Sequence, residues 1–185
     1  MKKPVIDSMM KRLIILLFLS SALLCGCSAI QSIVRSAFPY TANLNIPSSS
    51  ETGVEQSITV MANSFDQLLT GQGSNTNAIT NIRLTSVKLD SNLPVSQNLG
   101  VFSSIKIYIL RGDSSKELLI ASGENIDSSV GKSLVLDADK SLVLDGYIKE
   151  STVRIRMKYT LRTAFTNDIS IKASLDFQAD PSKNK

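Results

Sequence analysis

The chain has 185 residues and a formal net charge of +4, and it contains neither histidine nor tryptophan. The absence of histidine excludes Ser-His-Asp and Cys-His catalysis and histidine-ligated zinc, so neither an enzyme nor a metal or other cofactor is expected. Its two cysteines, Cys25 and Cys27, both lie near the start, so the rest of the chain has no disulfide.

The first recognisable pattern is the stretch Met10–Ser28. Lys11 and Arg12 precede an apolar run, Leu13–Leu24, which only two serines interrupt. As a helix this run is ~18 Å long, too short for the ~30 Å hydrocarbon core of a membrane. It also lacks the polar face of an amphipathic core helix. The pattern is typical of the hydrophobic region of a secretory signal.

The run ends in Leu24, Cys25, Gly26 and Cys27, which resembles the lipobox of bacterial lipoproteins. Cleavage before Cys27 puts small Gly26 at the last removed position, whereas cleavage before Cys25 would put bulky Leu24 there. The resemblance implies a signal peptide over residues 1–26, followed by lipidation of the Cys27 sulfur with diacylglycerol and N-acylation. Ser28 follows in place of Asp, which implies lipid anchoring in the outer membrane, facing either the periplasm or the surface.

The positive charge of the chain lies mostly in its signal segment. After residue 26, the remaining 159 residues hold 16 basic and 15 acidic side chains. A nearly neutral domain lacks the charge typical of nucleic-acid binding, so no nucleic-acid partner is expected.

Asp7 is unusual ahead of a signal's apolar run, which leaves Met1, Met9 and Met10 open as translation starts.

Residues 27–53 are predicted to be a flexible, lipidated tether. They are rich in Ser, Asn, Thr and Pro, including Pro39, Pro47 and three consecutive serines. The alternative is a short helix lying on the lipid, indicated by apolar residues near helical spacing from Ile30 to Phe38. The folded domain is expected to span residues 54–180, with a disordered tail at 181–185.

The first half of the domain is predicted to consist mainly of short strands. A strand is expected at Ile58–Met61, followed by one or two helical turns within Asn63–Leu69. Alternation with a period of two begins at Ile79. The apolar positions then change parity between Leu84 and Val87, which is the pattern of a β-bulge.

Further strands are expected around Ile105–Ile109 and Glu117–Ser122. The sequence Lys-Ser-Leu-Val-Leu-Asp then occurs twice, at 132–137 and 140–145. The first copy is predicted to be a strand, and the second a strand or a turn.

The clearest alternation is in Val153–Leu161 and Ile169–Ala179, which are predicted to form a hairpin. One apolar and one polar face on each strand indicates an antiparallel sheet with one covered side. The whole pattern predicts an all-β, antiparallel two-sheet β-sandwich, Ig-like or jelly-roll-like. The spacing from Ile79 to Ala179 resembles small β-sandwich lipoproteins of Bacteroidota-like bacteria, which supports the fold.

A cationic strand face is the main candidate binding site. The residues that form this predicted site for anionic ligands are Arg154, Arg156, Lys158 and Arg162, with Lys172 across the hairpin. Its ligands would be lipid headgroups, lipopolysaccharide phosphates or an acidic partner. The alternative is a solvated sheet face whose long cations discourage edge aggregation.

Two further patterns are weaker. Arg111-Gly112-Asp113 spells an integrin-recognition tripeptide, but Gly-Asp is ordinary turn chemistry at this position. A group of carboxylates lacks the ligand spacing of an EF-hand, which favours solvated loops over a calcium site. These carboxylates are Glu124, Asp127, Asp137, Asp139 and Asp145.

Two functions remain open. The first is a non-enzymatic binding or structural module, anchored by lipid in the envelope, with an unidentified envelope protein partner in an envelope or secretion assembly. The second is a surface module that binds glycan or lipid. Clustered tyrosines on a sheet face, or a deep apolar cavity, would favour the second; a closed core with an uncovered edge strand or loop patch would favour the first.

Overall fold

A computed structural model describes residues 36–64, 79–111, 116–149 and 153–182. Strands make up 64% of this part of the chain, which also has a 3-10 turn at Leu99–Val101 and one α-helical turn, α1, at Asp145–Ile148. No helix in these ranges is long and apolar enough to span a membrane. The strands are β1 (Ser36–Ile46), β2 (Glu55–Met61), β3 (Asn63–Ser64), β4 (Ile79–Leu93), β5 (Phe102–Arg111), β6 (Glu117–Glu124), β7 (Ser133–Ala138), β8 (Val153–Leu161) and β9 (Ile169–Pro181).

The strands form one continuous sheet in the order β2-β8-β5-β6-β7-β4-β9-β1-β3, and all neighbours are antiparallel. The sheet is nearly closed into a barrel. The prediction of an all-β antiparallel fold is confirmed, although the strands do not separate clearly into two sheets. We call β2, β8, β5 and β6 the β8 half, and β7, β4, β9, β1 and β3 the β9 half.

Two strands pass from one half to the other. β7 pairs with β4 through Ser133–Leu136, and then with β6 through Asp137 and Ala138. The β2–β3 segment crosses in the same way. β2 pairs with β8, and this pairing continues to Ala62, whose amide donates to the Val153 carbonyl at 2.9 Å. The chain then continues as β3, which pairs with β1. Each crossing ladder has two residue pairs. Strands that change partners in this way turn the corners of a folded sheet.

The core fills the space between the two halves. On β8 and β9 every second residue from Val153 to Leu161 and from Ile169 to Ala179 is buried. Edge-to-face aromatic pairs add directional contacts, with ring centroids 5.4 Å apart for Tyr40 and Phe177 and 5.7 Å apart for Phe102 and Tyr159.

The predicted bulge in β4 is confirmed. Ile82, Leu84, Val87 and Leu89 are all fully buried although the two pairs differ in parity. The register against β9 shifts between Leu84 and Ser86. One extra residue therefore returns the second apolar pair to the core side of the sheet.

The prediction of a tether through residue 53 is wrong for residues 36–46. These residues form β1, which pairs with β9 along its whole length, from Ser36 opposite Ala179 to Ile46 opposite Ile169. The inward residues Tyr40, Ala42, Leu44 and Ile46 are buried. Polar Thr41, Asn43 and Asn45 fill the outward positions, and this polar half of the alternation made the segment resemble a linker.

The predicted hairpin of the last two strands is also wrong. Both strands exist with the expected faces, but β8 pairs with β2 and β5, whereas β9 pairs with β4 and β1. Alternation establishes which face of a strand is buried and leaves its neighbours undetermined. The connection over residues 162–168 is also longer than a tight hairpin turn.

The remaining predictions divide between described and undescribed residues. The first repeat copy lies in β7, and the second forms a turn leading into α1, whose Asp145 accepts hydrogen bonds from the amides of Asn81 and Ile82. Of the predicted helical turns, Asn63–Ser64 is instead β3, and the rest lies outside the described residues. The signal segment, residues 27–35 of the tether and residues 183–185 of the tail also lie outside the described residues.

Ile155→Asp tests the assignment of the two faces of β8. Ile155 is fully buried, so an unpaired carboxylate there should lower the free energy of unfolding by more than about 3 kcal/mol. Arg156→Gln, one position along and half-exposed, should cost less than about 1 kcal/mol. Urea unfolding of both variants measures the difference, and equal losses would contradict the assignment.

Candidate functional site

The lipobox residues Leu24, Cys25, Gly26 and Cys27 lie outside the described residues. Lipidation at Cys27 therefore stays a prediction from the sequence. All residues of the other predicted site, the cationic face, lie within the described ranges.

Strand alternation places Arg154, Arg156 and Lys158 on the outward face of β8. β5 separates this strand from β6, and Glu117, the first residue of β6, lies opposite Leu110 of β5. The Glu117 carboxylate joins two of the cations across β5: its Oε2 is 2.7 Å from Arg156 Nη1, and its Oε1 is 2.6 Å from Lys158 Nζ.

Two neighbours complete this arrangement. Lys158 Nζ lies 4.5 Å from the centroid of the Tyr108 ring on β5, within the range of a cation–π contact. Arg156 Nε donates to the Thr59 hydroxyl on β2 at 2.9 Å. Hydrogen bonds, ion pairs and one cation–π contact therefore connect the four strands on the outward face of the β8 half.

The charged forms of Glu117 and Lys158 stabilise each other. The hydrogen bond from Lys158 is the main cause that lowers the pKa of Glu117, against a smaller opposing effect of burial. The same hydrogen bond raises the pKa of Lys158. Glu117 therefore stays charged and offsets one of the two cations that it contacts.

The other two predicted members of the face lie elsewhere. Arg162 follows β8 and donates hydrogen bonds to the carbonyls of Gly100 and Ile126, so it ties two loops together. Lys172 lies on β9 in the other half, opposite Asn43 and Asp90. The prediction that all five cations share one face is wrong. Lys172 was grouped with the others through a hairpin that β8 and β9 do not form, and Arg162 lies beyond the end of β8 with its guanidinium on loop carbonyls.

Asn98 joins the same loops as Arg162, and sequence reasoning missed it. Its Oδ1 accepts from the amides of Gly100 and Gly131 at 2.8 and 3.0 Å, and its Nδ2 donates to the Ser128 carbonyl at 2.7 Å. A Cβ on Gly100 would lie 2.2 Å from that carbonyl oxygen, so only glycine fits there. The signal in the sequence was an amide residue two positions before a glycine, shortly ahead of a strand.

The predicted acidic group consists of separate local contacts. Asp127 and Asp139 each accept hydrogen bonds from a serine two residues later, Ser129 and Ser141, and these bonds lower both pKa values. Within the described ranges no three Asp, Glu, Cys or His side chains are grouped to hold a metal ion. Of the integrin-like tripeptide, Arg111 ends β5, and Gly112 and Asp113 lie outside the described residues.

An open groove of about 530 Å³ lies where β7 leaves β4 to join β6. Its ionisable lining residues are Asp137 and Lys140, beside exposed Val135. The groove is thus a consequence of the corner between the two halves. Its lining residues are Thr85, Ser86, Val135, Leu136, Asp137, Ala138 and Lys140.

No protein-family model and no curated protein matches the chain. Among solved structures, the crystal structure of FlhE matches at 8% identity with a TM-score of 0.32, covering 80% of this chain and 97% of that chain. A Desmodium yellow mottle tymovirus chain matches at 10% identity with a TM-score of 0.28, covering 87% of this chain and 98% of that chain. Likenesses this weak establish neither a shared fold nor a shared function.

Arg162→Ala should lower the free energy of unfolding by about 2 kcal/mol, because two loop carbonyls lose a charged donor. Lys172→Ala, on an exposed position, should change it by no more than about 0.5 kcal/mol. Chemical unfolding of the two variants measures both values. A neutral Arg162→Ala would show that this arginine does not hold the loops.

Glu117→Gln tests the network by its pH dependence. Because the pKa of Glu117 is lowered on folding, its stabilisation is present above the unfolded value of about 4.3 and is lost as the pH falls through the folded value. The wild type should therefore melt at a higher temperature than the variant at pH 7, and this advantage should shrink towards pH 3. Thermal melts across this range measure it, and a constant difference would contradict the assignment.

Proposed function

We propose that this chain is a bacterial envelope lipoprotein, anchored in the outer membrane through lipid on Cys27, with a non-enzymatic binding or structural domain. Its partner would be another envelope protein in an envelope or secretion assembly. We further propose that the two halves of the sheet act as the two layers of a β-sandwich, Ig-like or jelly-roll-like in its arrangement.

The observation that carries the proposal is the sequence order of cations, a short apolar run and the lipobox-like Leu24–Cys27. Cleavage before Cys27 would leave the thiol at the new N-terminus, where the lipid is attached. The non-enzymatic role is supported by the lack of histidine, the commonest general base, and by the cysteines, since Cys25 would leave with the signal and the Cys27 sulfur would carry lipid.

The position of β1 bears on the length of the anchor segment. β1 begins at Ser36, so eight residues separate it from Cys27. Fully extended, this connection reaches at most ~30 Å. A lipid on Cys27 would therefore keep the domain within a shorter maximum distance of the membrane than a tether through residue 53.

The alternative, a surface module for glycan or lipid, has less support. Of the four tyrosines in the chain, Tyr40 and Tyr159 are buried in the core, Tyr147 is partly buried against it, and Tyr108 lies against Lys158. They form no stacking platform for a sugar. The closed core and the edge strand β2, which among the described residues has a ladder on its β8 side alone, favour an interaction with protein.

Cys27→Ser tests the anchor. The thioether needs a sulfur at the residue that becomes the N-terminus, so this variant should lose fatty-acid labelling and leave the membrane fraction or stay uncleaved. Cys25→Ser is the matched control and should keep both properties, because Cys25 is removed with the signal. Metabolic labelling with a fatty-acid probe and fractionation measure them. Label remaining on the Cys27→Ser protein would overturn the lipobox interpretation.

A further inference from the structure

β2 is an open edge of the sheet. Its seven residues, Glu55–Met61, pair with β8, and among the described residues no strand pairs with the other side of β2. The other end of the strand order is β3, which has two residues and is too short to template a further strand. β2 is therefore the edge at which backbone hydrogen bonding can continue.

Part of β1 lies at the same corner. β1 pairs with β3 through Tyr40 and Thr41, and within the described ranges it has no further ladder on that side. The inward side chains of β1 from Ala42 to Ile46 are already covered, each with 2% exposure or less. On β2 the inward side chains of Ile58 and Val60 are only half-buried. A strand added beside β2 would therefore bury more apolar surface than one added beside β1.

β2 lacks the features that protect edge strands from pairing. It has no proline, no lysine and no bulge in its register with β8. Exposed apolar side chains flank it instead: Val54, just before the strand, is 49% exposed, and Met61, its last residue, is 66% exposed. The other exposed large apolar residues in the described ranges lie in loops or turns, or on strands with a neighbour on each side. They are Leu93, Val95, Leu119, Val135 and Val143.

The ladder with β8 determines which backbone groups of β2 face the open side. Ala62 continues the register of β2, and its amide donates to the Val153 carbonyl. In an antiparallel ladder, residues bonded to one neighbour alternate with residues whose N–H and C=O point the other way. Four residues of β2 therefore present their backbone groups to the open side, and all four are exposed. They are Glu55, Ser57, Thr59 and Met61.

The sequence of β2 is complementary to itself in one antiparallel register. A two-fold axis at Ile58 places Glu55 opposite Met61 of a second copy, and Ser57 opposite its Thr59. Each of these pairs exchanges both of its N–H···O bonds, so every backbone group on the open side gains a partner. A two-fold axis at any other residue leaves some of these groups without a partner in β2.

The side chains of β2 suit the same register. The two Ile58 residues face each other at a non-hydrogen-bonded position, where opposite side chains approach most closely. Each Ile58 is half-buried, so each covers apolar surface of the other. Glu55 is the one charged residue of β2, and its two copies lie at opposite ends of the ladder, ~20 Å apart along the strands. The register therefore brings no like charges of β2 together.

We infer that two copies of this chain associate through β2, as an antiparallel pair centred on Ile58 that joins their β8 halves into one continuous sheet. The contact is isologous and closed by a two-fold axis, the commonest symmetry of homo-oligomers. The inference goes beyond the proposed function, in which the partner is another envelope protein. It concerns the folded domain, so it does not rest on the proposed lipid anchor.

Cysteine crosslinking of the full protein in its native membranes tests the register. The reagent is a bismaleimide with a spacer of roughly 8 Å, matched to the ~7–8 Å between diagonal neighbours on paired strands. Ser57→Cys should give a crosslinked dimer, because the two Ser57 residues are diagonal neighbours across the axis. Met61→Cys is the matched control on the same strand. Its two copies would lie ~20 Å apart, so its dimer yield should be at least about fivefold lower.

The native cysteines are controlled separately. The parent protein should give no crosslink, because Cys25 is expected to leave with the signal and the Cys27 sulfur to carry lipid. A crosslink in the parent would count against the lipid anchor and not against the dimer. Positions 57 and 61 are then compared in protein that also carries Cys25→Ser and Cys27→Ser, where the introduced cysteine is the sole thiol.

Sedimentation velocity of the full protein in detergent tests the backbone bonds. Ser57→Pro removes an outward amide and no bond to β8, so it should raise the dimer Kd at least about tenfold. Ser57→Ala keeps the amide, is the matched control, and should leave the Kd unchanged. Ser57→Glu lies opposite Lys158 of its own subunit and sets two carboxylates side by side at the axis, so it should also weaken the dimer. Melting curves show which variants are folded, and Ser57→Glu serves if Ser57→Pro is not.

Equal crosslinking at positions 57 and 61 would overturn the inference, as would a dimer that is equally stable with Ser57→Glu and Ser57→Ala. A folded Ser57→Cys protein that stays monomeric would overturn it as well. If Ser57→Cys instead crosslinked to a different envelope protein, β2 would be the docking edge for that protein, and the inference of a second copy would be wrong.

Discussion

The fold depends on two strands that change partners part-way along. β7 leaves β4 for β6 after Leu136, and the β2–β3 segment leaves β8 for β1 at Ala62. Without these crossings the two halves of the sheet would be separate, each with an apolar face and two open edges. Each crossing needs only two residue pairs because the core between the halves supplies most of the attraction. The groove beside β7 and the uncovered side of β2 are the places where the closure is incomplete.

β1 links the architecture to the proposed function. Its inward residues Leu44 and Ile46 are fully buried, so the strand is part of the core wall, while its first residue receives the chain from the signal segment. The domain consequently has no long spacer between its folded part and the proposed lipid. A domain on a short connection has fewer accessible orientations than a domain on a long, flexible tether.

Sequence patterns predicted the faces of the strands far better than their neighbours. The parity change between Leu84 and Val87 was enough to locate a bulge, because burial acts on each residue locally. Pairing depends on contacts between distant segments, and nothing in the alternation of β8 and β9 distinguishes a hairpin from strands in opposite halves. β1 was missed because asparagine and threonine fill its outward positions. The same error in pairing grouped Lys172 with Arg156, and Arg162 looked like a surface cation although its guanidinium joins two loops.

The charges of the β8 half show why a row of cations along one strand is not by itself a binding face. Glu117 reaches across β5 to Arg156 and Lys158, so these two cations are already partly satisfied within the protein, and their attraction for an external anion is weakened accordingly. A site for a discrete anion needs several donors that converge on one point, and here the donors of Arg156 and Lys158 converge on the Glu117 carboxylate itself.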